Sequence, residues 1–266
     1  MRKIALYGKG GIGKSTTCAN LSVSFAKQGY KVLQIGCDPK HDSCRTIVGK
    51  LIPTVLSEWM EHRNQIDKKR IVVEGYCGVH CVEAGGPEPG KGCAGLGIEK
   101  TIDILDELEI WNNKYDIVFF DVLGDVVCGG FAKPIKYADE VFIITSGEFM
   151  SLYAANNIAK SIIKFDNICL NGIILNERML PQEQEIVELF CNAINVDLIY
   201  SIPRDNLIGE FERKGMTILQ GNPECQQSKK YFELAEKIKK MSAHKTFPTP
   251  LDLNQLQDLF DAFNNL

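Results

Sequence analysis

An apolar run, Lys3 to Tyr7 ("KIALY"), leads straight into "GKGGIGKST", Gly8 to Thr16, and no other stretch narrows the possible folds so far. Two templates fit it. Gly8, Gly10 and Gly13 make the G-x-G-x-x-G of dinucleotide folds, and Asp38 closes the second apolar run where a ribose-binding acid would stand. Gly8 to Ser15 also spells G-x-x-x-x-G-K-S, the nucleoside-triphosphate loop, and this template accounts for more residues. Lys14 would neutralise β- and γ-phosphate charge and Ser15 would place a hydroxyl on Mg²⁺, whereas a dinucleotide site needs neither. Gly11 and Thr16 complete the expected phosphate contacts. A second lysine within the loop, Lys9, suggests a contact to phosphate from a neighbouring subunit, with ATP held between two chains.

Further along, apolar runs of strand length alternate with segments of helical period. Lys3 to Tyr7, Val32 to Gly36, Asp116 to Phe120, Val141 to Thr145, Gly172 to Leu175 and Leu198 to Ile202 read as strands. Their near-continuous hydrophobicity fits a parallel sheet covered on both faces. Helices are expected over Ser15 to Gln28, Ile98 to Glu109, Phe149 to Phe165 and Gln182 to Ala193. The alternation predicts one doubly wound α/β domain, residues 1–266, with a mostly parallel sheet of the P-loop NTPase type. A last helix, Asp252 to Phe263, would pack as part of a C-terminal strap over about 247–266.

A triphosphate switch also needs acids at strand ends. "FFDVLGD" offers Asp121, which can hold the water shell of magnesium, and Gly124, whose backbone N–H can sense the γ-phosphate. Asp38 and Asp42 in "CDPKHDS" close another strand, where ligands collect in parallel sheets. The plainer reading of such carboxylates is loop solvation and capping.

The chain has 266 residues, a net charge of -4 and ten cysteines. Mild acidity argues against a nucleic-acid binder, which needs a basic face. No window has the apolar length of a membrane span, and no signal-peptide pattern opens the chain, so a reducing cytoplasm is expected. There, most cysteines serve as small buried hydrophobes. Cys93, in "GPEPGKGCAGLGIEK", and Cys128, in "DVVCGGF", sit instead among glycines that give sulfur little cover. Backbone N–H groups there favour thiolate. Two thiolates are too few for a four-cysteine [4Fe–4S] site, but a twofold dimer would supply four. "CGVHC", Cys77 to Cys81, looks like a metal knot, yet it lies in a strand-like run with His80 facing away from its neighbours and lacks a fourth ligand. Cys18, Cys169 and Cys191 read as core; Cys37, Cys44 and Cys225 have no evident partner.

Together "YGKGGIGKSTT", "GCDPKHDS", "CVEAGGPEPGKGCAG", "FFDVLGDVVCGGFA", "YAANNI" and "IPRDN" resemble the nitrogenase iron protein family over nearly the whole chain. The resemblance implies a homodimer with one bridging [4Fe–4S] cluster. That dimer would take electrons from a ferredoxin or flavodoxin and pass them to a nitrogenase-type catalytic component as MgATP is hydrolysed. Cys93 and Cys128 would ligate the cluster, and Lys9 would be the trans-acting lysine. Lys14 and Ser15 would bind phosphate and Mg²⁺, and Asp38, Asp42 and Asp121 would belong to the switches. Asn176, Pro203 and Asp205 match adenine-side positions. The family's C-A-G-R-G departs here to Leu96, so the docking face must differ and the arginine that some members ADP-ribosylate is missing. Other phrases look more like the iron proteins of nitrogenase-like tetrapyrrole reductases, and the reductase of a nickel-tetrapyrrole cyclase stands equally open. A positioning ATPase or an iron–sulfur assembly scaffold is the alternative of another class.

Overall fold

In the computed structural model, residues 1–86, 94–111, 115–124, 137–165, 168–241 and 247–264 are described. The strands are β1 (Arg2–Tyr7), β2 (Val32–Cys37), β3 (Val73–Glu74), β4 (His80–Glu83), β5 (Ile117–Val122), β6 (Glu140–Thr145), β7 (Cys169–Asn176) and β8 (Leu198–Ile202). They form one sheet in the order β3-β4-β2-β5-β1-β6-β7-β8. Every pairing is parallel except β3 with β4. The main helices are α1 (Lys14–Lys27), α2 (Val55–His62), α3 (Ala94–Glu107), α4 (Phe149–Ile162), α5 (Glu183–Ala193), α6 (Asn206–Arg213), α7 (Gln226–Lys240) and α8 (Leu253–Asn264).

Strand alternation divides the core between two faces. Ile4 and Leu6 of β1, with Ile117 and Phe119 of β5, join Leu21 and Phe25 of α1 and Leu234 and Ile238 of α7. Ala5 and Tyr7, with Val118 and Phe120, join residues of α3, α4 and α5. Helices thus cover both faces, and the sheet is doubly wound, as the alternation predicts. All six expected strands are present, each within a residue or three of its expected limits.

Three features differ from expectation. The edge pair β3–β4 is added, its strands too short to show a period. Helices α2 and α6 are added, and so is α7, whose polar face is rich in lysine and whose apolar stripe is confined to Tyr231, Leu234, Ala235 and Ile238. Cys225 caps that helix, its Sγ accepting from Ser228 N at 3.4 Å. Two helices keep other limits than expected: α4 ends at Ile162, three residues early, and α3 runs from Ala94 to Glu107, beginning four residues before Ile98.

The C-terminal segment is fastened by polar and apolar contacts together. Asn156 of α4 is buried; its Nδ2 donates to Leu251 O at 2.7 Å and its Oδ1 accepts from Leu251 N at 2.8 Å. Thr249 N donates to Ile194 O at 2.7 Å. Leu256 of α8 is fully buried, and Phe260 meets Phe149 edge-on at 4.9 Å between centroids. Asn156→Ala leaves a buried peptide without both partners, which costs about 1–3 kcal/mol. Urea unfolding should show that loss while nucleotide affinity stays unchanged; an unaltered midpoint would mean the segment contributes nothing to the fold.

Candidate functional site

The loop after β1 is built where only glycine fits. Gly8 has φ 148°, and a Cβ there would lie 2.1 Å from Ile144 O. Gly13 has φ 98° and opens α1; a Cβ there would lie 2.4 Å from Asn176 Nδ2. The first clash is with rigid backbone, so no side chain can be accommodated. Loop carbonyls are taken up by cationic and amide groups. Lys14 Nζ donates to Lys9 O at 3.1 Å, Asn176 Nδ2 to Ile12 O at 2.6 Å, and the Arg178 guanidinium to Gly11 O. Lys14 is nearly buried, at 8% exposure.

Two cavities open on this loop. One, of about 290 Å³, is lined by Gly10, Lys14, Ser15, Asp38, Asp42 and Asp121, among others. The other, of about 540 Å³, shares Gly11, Gly13 and Thr16 with it and reaches Asn176, Arg204 and Asp205. Volumes of this order suit a small-molecule ligand. Pro203 stands beside the larger cavity, its carbonyl accepting from Gln227 Nε2 at 3.0 Å. Asp205 caps α6 through Leu207 N at 2.8 Å, so its carboxylate already has a structural task. The sequence-predicted residues from the loop, from the ends of β2, β5 and β7 and from the start of α6 therefore converge along one edge of the sheet. Lys9 is half-buried on the same loop, and Gly124 follows β5 with φ 42°.

Asp121 is buried at 2% exposure. Burial pushes its carboxyl up, while hydrogen bonds from Ser15 and Ser43 and the charge of Lys14 pull it back. Its Oδ2 has no hydrogen-bond partner among the described residues. A buried carboxyl with a spare oxygen beside a lysine is suited to a cation or its water shell.

Sequence reasoning missed Glu83. It ends β4 fully buried, and Gly36 of β2 is in register with Glu83 on one side and Asp121 on the other. A Cβ on Gly36 would lie 2.0 Å from Glu83 Oε2, so the glycine makes room for the carboxyl. Glu83 Oε1 accepts from Cys44 N at 2.6 Å, and Oε2 has no hydrogen-bond partner among the described residues. Burial, reinforced by Asp121 and Asp42, pushes Glu83 up to about 8 despite the Cys44 bond. The only sequence signal was an acid closing the short run "HCVE". Glu212 was missed too: Thr16 Oγ1 donates to its Oε1 at 2.5 Å, and Arg45 Nη1 to its carbonyl at 2.8 Å.

The expected cluster cysteines Cys93 and Cys128 lie outside the described residues, and Leu96 is described only as backbone in α3. No disulfide joins the described cysteines. Cys18, Cys37 and Cys44 are fully buried, and burial, with nearby acids, pushes their thiols well up. Burial raises Cys191 to about 12. Such thiols stay protonated and make poor ligands. "CGVHC" does not converge: Cys77 is exposed at φ 56°, Cys81 is buried, and His80 Nδ1 pairs with Tyr115 OH at 2.8 Å.

Comparison with known proteins places this geometry in a family. The model of the 4Fe-4S iron sulfur cluster binding proteins, NifH/frxC family, matches residues 2–266. Nitrogenase iron protein 2 of Methanothermobacter thermautotrophicus is 46% identical over 265 residues, covering 99% of this chain and 98% of its own. The nitrogenase iron protein of Methanospirillum hungatei is 47% identical, covering 99% and 96%. The solved structure of the septum site-determining protein MinD from Pyrococcus horikoshii, complexed with Mg-ADP, has a TM-score of 0.72 at 22% identity. It covers 90% of this chain and 96% of that one, a likeness in fold alone. With a family match over nearly its whole length and two relatives near half identity, this chain belongs to the NifH/frxC family of 4Fe–4S iron–sulfur cluster binding proteins.

Proposed function

We propose that the protein is the ATP-driven electron carrier of a nitrogenase-type or nitrogenase-like reductase, working as a homodimer in the cytoplasm. Residues 1–266 would act as one ATPase and reductase unit. The observation that carries this reading is the continuity of β5. Its end, Asp121, lies buried in the smaller cavity, and the same stretch of chain runs on to Cys128 seven residues later.

MgATP fits the residues present: a buried lysine, a spare carboxylate oxygen and a glycine cradle that excludes side chains. Lys14 would meet the β- and γ-phosphates, and Ser15 would ligate Mg²⁺ with Asp121 holding its water shell. Gly10, Gly11, Gly13 and Thr16 would offer backbone N–H groups, and Gly8 would seat the loop on Ile144. Lys9 would reach the partner subunit's phosphates, with Asp38 and Asp42 closing over the γ-phosphate. Asn176, Pro203 and Asp205 would frame the base. For the cluster, the high thiol pKa values of Cys18, Cys37, Cys44 and Cys191 favour Cys93 and Cys128 as the thiolate pair. β4 and β5 are parallel neighbours of β2, so the chain segments carrying these two cysteines leave the sheet at the same edge. Once bound between two chains, the [4Fe–4S] cluster supplies one-electron chemistry.

The chain's own part is a population shift. Nucleotide between the subunits favours one arrangement of the segment from Asp121 to Cys128, and hydrolysis removes that preference. Electrons would come from a ferredoxin or flavodoxin. Leu96, at the family's arginine place in the first turn of α3, favours a catalytic partner that has no need of a cation there. Nothing in the acidic net charge or the helices calls for nucleic acid or a membrane, and no helix among the described residues is long and apolar enough to span one.

Anaerobic purification should yield about four irons per dimer, lost in Cys93→Ser and Cys128→Ser. An iron-free wild type with intact ATPase activity would return the positioning-ATPase reading. Lys14→Ala removes charge-assisted hydrogen bonds and should weaken MgATP binding by about 10–100-fold by calorimetry, the iron content unchanged. Asp121→Glu should retain the cluster signal and lower partner-dependent electron transfer by at least about tenfold. Unchanged transfer in that variant would count against β5 as the link.

A further inference from the structure

We propose that Glu83 is a positioning residue that ties the nucleotide loop at Asp42–Cys44 to the strand leading toward Cys93, forming a second link beside the Asp121–Cys128 segment. This rests on the electron-carrier reading above.

The link is drawn by hydrogen bonds and close packing. Asp42 lines the nucleotide cavity. Ser43, next in the chain, bonds Asp121 and is held by Gln34, whose Nε2 donates to Ser43 O at 3.0 Å and Oγ at 2.9 Å. The following N–H, that of Cys44, donates to Glu83 Oε1 at 2.6 Å, and the Cys44 thiol donates to Val82 O at 3.7 Å. The end of β4 is thus fastened to this loop by backbone and side chain alike. Beyond Glu83 the contact continues, since a Cβ on Gly86 would lie 2.6 Å from Pro39 Cβ. Ala84 N donates to Gly36 O at 2.8 Å, so the exit of β4 cannot shift independently of β2. Ten residues separate Glu83 from Cys93 in the sequence.

A buried carboxyl is a costly way to accept one backbone hydrogen bond unless it holds a proton. The ionisable groups that bear on Glu83 include Asp121 from β5, Asp42 from the loop, and the thiols of Cys18, Cys37 and Cys44. Burial with those acids pushes Glu83 up to about 8, so at pH 7 it mostly holds a proton. The task of Glu83 is then to accept from Cys44, and an amide does it equally well.

The test compares Glu83→Gln, Glu83→Leu and Glu83→Asp in the purified holoprotein. Two quantities are read: MgATP affinity, and the change MgATP makes in the rate at which a chelator removes iron. Gln should behave as wild type. Leu lacks the acceptor and Asp falls one methylene short of Cys44; both should bind MgATP within about threefold of wild type, yet show no nucleotide effect on iron removal. Where the Leu variant does not fold, the Gln and Asp pair decides. A full nucleotide effect in Asp or Leu overturns the link, and so does its loss in Gln, which would mean that negative charge matters and not the acceptor. Wild type that binds MgATP and holds iron but shows no nucleotide effect overturns the electron-carrier reading itself.

Discussion

Buried charge at the C-terminal edge of the sheet is the constraint around which the rest is arranged. Lys14 at 8% exposure and Asp121 at 2% lie on the same cavity, at the end of the first two strands of the central pair β1–β5. An ion taken out of water carries a penalty of several kcal/mol, which neighbouring opposite charge offsets only in part. The balance closes only with added hydrogen bonds. Lys9 O supplies one to Lys14, and Ser15 and Ser43 supply them to Asp121. A second acid in the same row makes ionisation costlier still, and Glu83 is pushed up to about 8. The glycines follow from the same economy of space: Gly36 lets Glu83 in, Gly8 lets the loop press on Ile144, and Gly13 lets Asn176 reach Ile12.

The architecture was legible because its signals are local. The central strands are buried on both faces, so they read as unbroken apolar runs, and the glycine-lysine-serine loop announces its strand and helix at once. What could not be read depends on partners distant in sequence. The two-residue β3 has no period of its own and exists because β4 offers it an edge. Helix α7 hides its stripe among lysines and is fixed by packing on α1. Asp121 could be picked out since it closes a long apolar run. Glu83 could not, because the feature that makes it special, a glycine opposite on the neighbouring strand, emerges only from register. Asn156, inside "YAANNI", shows the same limit: the motif marked the place, but only the fold assigns it to the Leu251 peptide.

Thiol chemistry sorts the cysteines in a way composition could not. Ten were present, with little beyond neighbouring residue types to tell them apart. Burial beside Asp121 and Glu83 disfavours thiolate at Cys18, Cys37 and Cys44, since both desolvation and like charge oppose ionisation. Burial and these two acids thereby keep three nearby thiols protonated.

The fold cannot by itself separate an electron carrier from a positioning ATPase, because a septum site-determining protein superposes on this chain at a TM-score of 0.72 with 22% identity. The shared part is the edge where nucleotide chemistry resides. What can differ is the chain that leaves that edge. Here the exits of β4 and β5 flank β2, whose own loop carries Asp38 and Asp42, and each exit runs within ten residues to a cysteine set among glycines. The β2 loop is therefore bonded on both sides: through Ser43 at Asp121 and through Cys44 at Glu83. In this chain the same loop is thus fastened at the roots of two cysteine-bearing segments.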